Sequence, residues 1–79
     1  MEKILVTGAL GQIGSELSVE LRKRYGTDNV IITDVKSEGN RELVDGGPFF
    51  YLDVKDAKRL DELVVRYKID TIFHLAALL

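Results

Sequence analysis

Cysteine and tryptophan are absent from the 79 residues, and histidine, proline and methionine occur once each. Without cysteine there is neither a disulfide framework nor a thiolate metal site, and one histidine cannot make a zinc site alone. Charge of one sign is missing too. Eleven basic residues stand against 13 acidic ones for a net charge of −2, and Arg22, Lys23 and Arg24 are offset by Glu16 and Glu20. No basic stripe of the kind nucleic acid requires results, so nucleic acid is not an expected partner. No apolar stretch is long enough to span a bilayer, and the opening MetGluLysIleLeuValThr lacks a signal peptide's apolar segment and cleavage site. No membrane partner is expected, and a cytoplasmic location is the default.

What is present is 46% hydrophobic and 30% charged, a soluble globular composition near the lower size limit for burying a core unaided. One domain at most fits, with no internal repeat and no low-complexity segment. Lys3 to Thr7 reads as a short buried strand, nearly all apolar and closed by Gly8. Ile13, Leu17 and Leu21 recur every four residues, with Gly14 and Ser18 beside them and Glu16, Glu20, Arg22 and Lys23 facing away. That periodicity predicts an amphipathic helix ending near Gly26.

Val30 to Thr33 is a second buried strand ending on Asp34, and Lys36 to Pro48 has loop composition, although Leu43 and Val44 allow a helical turn. Phe49 to Leu52 reads as a third strand. A second amphipathic helix follows, its apolar face formed by Ala57, Leu60, Leu63, Val64 and Tyr67, with Asp53 or Asp56 able to cap it. Thr71 to Leu75 reads as a fourth strand. Strands without polar alternation, joined by crossovers, predict an α/β fold with a parallel sheet. The expected architecture is the N-terminal half of a Rossmann-like doubly wound sheet, β-α-β-loop-β-α-β with strand order 3-2-1-4. A chain closing on HisLeuAlaAlaLeuLeu, directly after a strand, reads as truncated. The piece alone is expected to be marginal or aggregation-prone, because its fourth strand would be an open edge.

Thr7 to Gly14, ThrGlyAlaLeuGlyGlnIleGly, falls between the first strand and the first helix. That context makes a pocket for phosphate, because the first amides of a helix have no partner within it and the helix dipole is positive there. Gly8, Gly11 and Gly14 are spaced GxxGxxG, not GxGxxG. Gly8 would permit the tight exit from the strand, Gly11 the approach of a pyrophosphate, and Gly14 close packing of the helix. Gln12 and Ile13 would offer amides to phosphate oxygens. Asp34, 20 residues beyond Gly14, can accept hydrogen bonds from an adenosine ribose and repel a 2′-phosphate. NAD is therefore expected over NADP, unless Lys36 swings in to neutralise the site. Asp53 suits a helix N-cap or adenine recognition, and the residues leave both open. His74, on a buried strand with no carboxylate or nucleophile in view, reads as a core residue. Tyr25 and Tyr67 read as packing residues.

Thr7 to Gly14, Asp34, LeuAspVal at 52 to 54 and HisLeuAlaAla at 74 to 77 together resemble the N-terminal part of extended short-chain dehydrogenase/reductases. That group includes nucleotide-sugar epimerases and dehydratases. The resemblance covers essentially the whole chain, so residues 1–79 are expected to be the N-terminal part of an NAD-binding domain. Within the group, GlyGlnIleGlySerGluLeu, GlyProPhe at 47 to 49 and IlePheHisLeuAlaAlaLeuLeu are most similar to the short-chain L-threonine 3-dehydrogenases. The resemblance implies that Gly8, Gly11, Gln12 and Ile13 hold the pyrophosphate, Asp34 the ribose, and Asp53 and Val54 the adenine. Leu75, Ala76 and Ala77 match the segment beside the nicotinamide-side ribose.

The implied chemistry uses a tyrosine assisted by a lysine four residues on in the same helix. One such spacing occurs, Tyr51 to Lys55, but it straddles the end of a predicted strand, so the two side chains would not stack one helical turn apart. No catalytic residue is expected in this chain. The expected parent is an NAD-dependent oxidoreductase acting on a small molecule, most simply L-threonine, as a homodimer. A nucleotide-sugar epimerase or dehydratase, a non-catalytic dinucleotide sensor, and a small protein that completes its sheet with a partner are the alternatives.

Overall fold

The computed structural model describes residues 1–36 and 40–76. Among them, β1 (Ile4–Thr7), β2 (Val30–Asp34), β3 (Phe49–Tyr51) and β4 (Thr71–His74) form one sheet in the order β3-β2-β1-β4, with every pairing parallel. Helices α1 (Gln12–Tyr25), α2 (Arg41–Asp45) and α3 (Ala57–Arg66) fill the crossovers, with a single 3-10 turn at Thr27–Asn29. The expected half of a Rossmann-like doubly wound sheet is therefore present, in the expected order.

β1 and β2 are central and covered on both faces, which is why they read as unbroken apolar runs. Ile4, Val6, Val30 and Ile32 point to one side and cluster with Ala9, Leu21 of α1 and Leu43 of α2. Leu5 and Ile31 point to the other side. That side belongs to α3: Phe50, paired with Thr33, meets Tyr67 at the C-cap of α3 with 5.4 Å between ring centroids, and Arg59 of α3 lies 5.8 Å from the same ring. Each fully buried aliphatic side chain in these layers contributes about 1.5–3 kcal/mol.

One expected option is realised, and two features differ from expectation. The loop after β2 contains α2, one turn of helix capped by Asn40, whose side-chain oxygen accepts from the Leu43 amide at 3.1 Å. A single turn is too short to show periodicity. Ile13 is 71% exposed rather than part of the buried face of α1. The buried line of that helix runs through Gly14, Ser18 and Leu21, because small residues let its first turns sit close to the chain beneath. β4 takes the expected edge position, paired among the described residues with β1 alone, so Ile72 and Leu75 are 46% and 39% exposed, and His74 is exposed rather than in the core.

Candidate functional site

All four strands are parallel, so their C-terminal ends meet at one edge of the sheet, where α1 begins. Gly8 turns the chain out of β1 with φ +68°. A Cβ there would lie 2.7 Å from the Ala76 nitrogen and 2.8 Å from the Leu75 carbonyl carbon, so only glycine allows the exits of β1 and β4 to touch. A Cβ on Gly14 would overlap the Gly8 carbonyl oxygen and lie 2.9 Å from the Ala9 Cα. The third glycine thus seats the helix on the turn itself. Gly11 differs from both: a Cβ there would meet only the Gly8 oxygen, at 3.5 Å, an ordinary contact. Among the described residues, no protein group demands a glycine at position 11.

The turn uses part of its own hydrogen-bonding capacity. The Ala9 amide donates to the Thr33 carbonyl at 3.0 Å, that of Gly11 to Gly8 at 3.3 Å, and that of Leu10 to Asp34 Oδ2 at 2.9 Å. The first intrahelical bond runs from Ser15 to the Gly11 carbonyl, 2.8 Å. Gln12, Ile13 and Gly14 therefore present the orphan amides of the helix start. Gly11, the N-cap, has no side chain to accept from them, and the first turn carries no acidic residue. The positive end of the α1 dipole is left without a side-chain cap, and Asp34 bonds Leu10 just ahead of it.

Beside this turn lies a cleft of about 550 Å³. Of the residues singled out from the sequence, Gly8, Gly11, Asp34, Asp53, Val54, Leu75 and Ala76 line it. Gln12 and Ile13 stand exposed at the helix start, outside the lining, and Ala77 lies outside the described residues. Lining residues that the sequence reading did not assign are Val35, Leu52 and Lys55, with Lys36 alongside. Asp34 is only 7% exposed. Its Oδ1 accepts from the Val35 amide at 2.7 Å while Oδ2 holds Leu10. A carboxylate has about four acceptor positions, so Asp34 braces the glycine turn and keeps acceptor capacity toward the cleft. Asp53 accepts from the Lys55 amide at 2.9 Å. The N-cap of α3 is Asp56, which accepts from Arg59 at 3.1 Å, so capping does not occupy Asp53.

A larger depression, about 770 Å³, runs along α3. Every residue lining it belongs to that one helix, so among the described residues no second element brings polar groups into it, and the chemistry concentrates in the smaller cleft. Tyr51 ends β3 and Lys55 follows it in a turn, so this pair is not stacked on a helix. Among the described residues no group of His, Cys, Asp and Glu could hold a metal ion, and no helix is long and apolar enough to cross a membrane.

Thr7 opens the glycine-turn motif, and the sequence alone gives its side chain no role. Its hydroxyl is 2.8 Å from His74 Nδ1 and accepts from the amides of Leu75, at 3.2 Å, and Ala76, at 3.4 Å. It thereby ties the exit of β4 to that of β1 along one wall of the cleft. The only signal in the sequence was its place at the strand end; the parallel register sets it opposite His74.

The residues present suit a dinucleotide: orphan amides for a pyrophosphate, an open approach at Gly11, and a carboxylate with free acceptor positions. Comparison with known proteins agrees. A curated relative, an uncharacterized epimerase/dehydratase of Staphylococcus saprophyticus, is 53% identical over all 79 residues, which cover 25% of its length. The L-threonine dehydrogenase of Clostridium difficile superposes with a TM-score of 0.93 at 49% identity, covering 100% of this chain and 25% of that one. A UDP-glucose-4-epimerase of Stenotrophomonas maltophila, solved with bound NAD and formylated UDP-arabinopyranose, gives a TM-score of 0.80 at 31% identity, with 100% and 25% covered. The chain spans about a quarter of the length of these relatives. Residues 4–79 match the sequence profile of the NAD dependent epimerase/dehydratase family, and the chain belongs to that family.

Proposed function

We propose that this chain is the dinucleotide-binding opening of an NAD-dependent oxidoreductase that oxidises the β-hydroxyl of L-threonine. The observation that carries the cofactor half is the uncapped start of α1 at Gly11, beside a cleft that Asp34 also lines. The amides of Gln12 and Ile13 hold the pyrophosphate, Asp34 the adenosine ribose, and Asp53 and Val54 the adenine end. Leu75, Ala76 and Ala77 run along the nicotinamide side. When bound, NAD supplies the hydride acceptor. Support for the substrate half is the higher identity to the L-threonine dehydrogenase of Clostridium difficile, 49%, than to the UDP-glucose-4-epimerase, 31%. That epimerase keeps a second reading in view, a nucleotide-sugar epimerase or dehydratase built on the same cofactor half. Activity with L-threonine but not with a nucleotide sugar separates the two. A homodimeric parent and a cytoplasmic location belong to the same proposal.

The test is calorimetric titration of the full-length protein with NAD and NADP. NAD is expected to bind at least about tenfold tighter, the lower end of what charge-assisted hydrogen bonds provide. Asp34→Asn, which removes the charge while keeping one acceptor oxygen, should narrow that gap. Equal affinities in the unsubstituted protein would remove the role given to Asp34. Gly11→Val should fold, since a Cβ at position 11 clashes with nothing, and should lose NAD by filling the approach to the amides. Undiminished binding in that variant overturns the pyrophosphate assignment.

A further inference from the structure

Asp34 is not the only charge at the end of the cleft given to adenosine. β2 and β3 leave the sheet side by side, with Asp34 opposite Tyr51 in the parallel register and the Asp34 carbonyl taking the Leu52 amide at 3.0 Å. Each exit carries a lysine into the same cleft. Lys36 follows Asp34 by two residues, and Lys55 sits in the turn after β3. That turn is held twice by Asp53, whose side chain accepts from the Lys55 amide at 2.9 Å and whose carbonyl accepts from the Asp56 amide at 2.8 Å.

The acids and the bases of this cleft are differently employed. Both oxygens of Asp34 accept from backbone amides, those of Val35 and Leu10, whereas among the described residues neither lysine side chain has an ion-pair partner. Asp34 and Asp53 against Lys36 and Lys55 leave the lining without net charge, so the loss of one carboxylate tips it toward an anion. We infer that Lys36 and Lys55 are specificity-determining residues: they form a latent subsite for a phosphate on the adenosine ribose, which Asp34 alone closes to NADP. The inference rests on the cleft being the dinucleotide site. A lysine ammonium is a point charge on a flexible stem, suited to a phosphate. Toward NAD, which carries a hydroxyl at that position, it has no charge to pair with, so the two lysines act on one cofactor far more than on the other.

The experiment titrates NAD and NADP into the full-length protein by calorimetry, with weak NADP binding read by displacement of NAD. The backgrounds are the unsubstituted protein and Asp34→Asn, each with and without Lys36→Met plus Lys55→Met. In Asp34→Asn, NADP should bind at least as tightly as NAD. Removing both lysines there should weaken NADP by roughly tenfold relative to NAD, since an exposed ion pair provides up to about fivefold. Lys36→Arg plus Lys55→Arg, which keep both charges, should restore it. Added salt should erode the NADP affinity of Asp34→Asn more than that of its lysine-free form. In the unsubstituted protein the same two replacements should widen the gap between NAD and NADP. That arm decides alone if Asp34→Asn loses both cofactors by releasing Leu10. Equal weakening of NAD and NADP overturns the inference, as does an NADP affinity indifferent to both lysines, and the proposed function then stands. Failure of the unsubstituted protein to bind NAD overturns the proposed function and the inference with it.

Discussion

Two helices in this chain begin within reach of the same cleft and finish their first turns in opposite ways. α3 starts on Asp56, whose carboxylate accepts from the Arg59 amide. Asp53 lies three residues earlier, its carbonyl taking the Asp56 amide at 2.8 Å. α1 starts on Gly11, with no side-chain cap and no acid in its first turn. Both helices face the same deficit of acceptors for their leading amides. The first is satisfied from within the protein, and the second is left for something else. Asp34, the carboxylate nearest the glycine turn, accepts from Leu10 just ahead of the helix. Charge of the wrong sign for a phosphate is thus present beside the site, with both carboxylate oxygens already accepting from backbone amides.

Exchanging the two solutions gives the largest expected effect. Gly11→Asp places a capping carboxylate on backbone that is already extended, φ −72° and ψ 173°, as an N-cap requires. Its oxygen would claim the amides reserved for pyrophosphate and bring a negative charge to the same point. Stability should rise by a few tenths of a kcal/mol, while NAD affinity should fall by about a hundredfold or more. Denaturant melts and calorimetry on the same preparation read the two opposed changes. A variant that gains no stability yet still binds NAD would show that those amides serve no ligand.

The reciprocal change is smaller. Asp56→Ala removes the cap of α3 and should cost about 1 kcal/mol of stability with NAD affinity unchanged, because Asp56 does not line the cleft. Chemical denaturation with a parallel cofactor titration separates the effects. A loss of binding larger than the loss of stability would mean that α3 and the cleft wall are coupled.

The contrast between the two starts was partly legible in the sequence. Gly8, Gly11 and Gly14 announced a turn between strand and helix, and unbroken apolar runs at Ile4 to Val6 and Val30 to Ile32 announced a parallel sheet. An aspartate ahead of α3 was legible as a cap, but not which one. Local pattern could not show that Asp34 braces Leu10, because that bond joins residues 24 apart, nor that Thr7 meets His74, 67 residues away. Ile13 misled because periodicity selects large side chains. The part of α1 that fits tightly is instead the small pair Gly14 and Ser18, both buried. α2 was legible only as a helical turn that Leu43 and Val44 allow, because a helix of five residues has no second turn with which to repeat a pattern.

A third carboxylate sharpens the comparison from the opposite end of the sheet. Asp70 accepts from the Thr71 hydroxyl at 2.7 Å and from the amides of Glu2 and Lys3 at 2.9 and 3.1 Å, pinning the start of β1 to the start of β4. The Thr71 hydroxyl first, and then the two amides, hold its carboxyl below the usual value for an aspartate. A carboxyl whose folded value is depressed contributes stability above its unfolded value, and that contribution disappears as the pH falls through the folded one. Asp70→Asn should therefore lower the melting temperature near neutrality, and the gap to the unsubstituted protein should close on acidification below the ordinary aspartate range. Because Asp70 is fully exposed, the effect should be the smallest of the three and should shrink further in high salt. A gap that stays constant from neutral to acid pH would mean that Asp70 acts through its shape alone. It would then resemble the neutral Asn40 cap of α2 more than the carboxylate cap of α3.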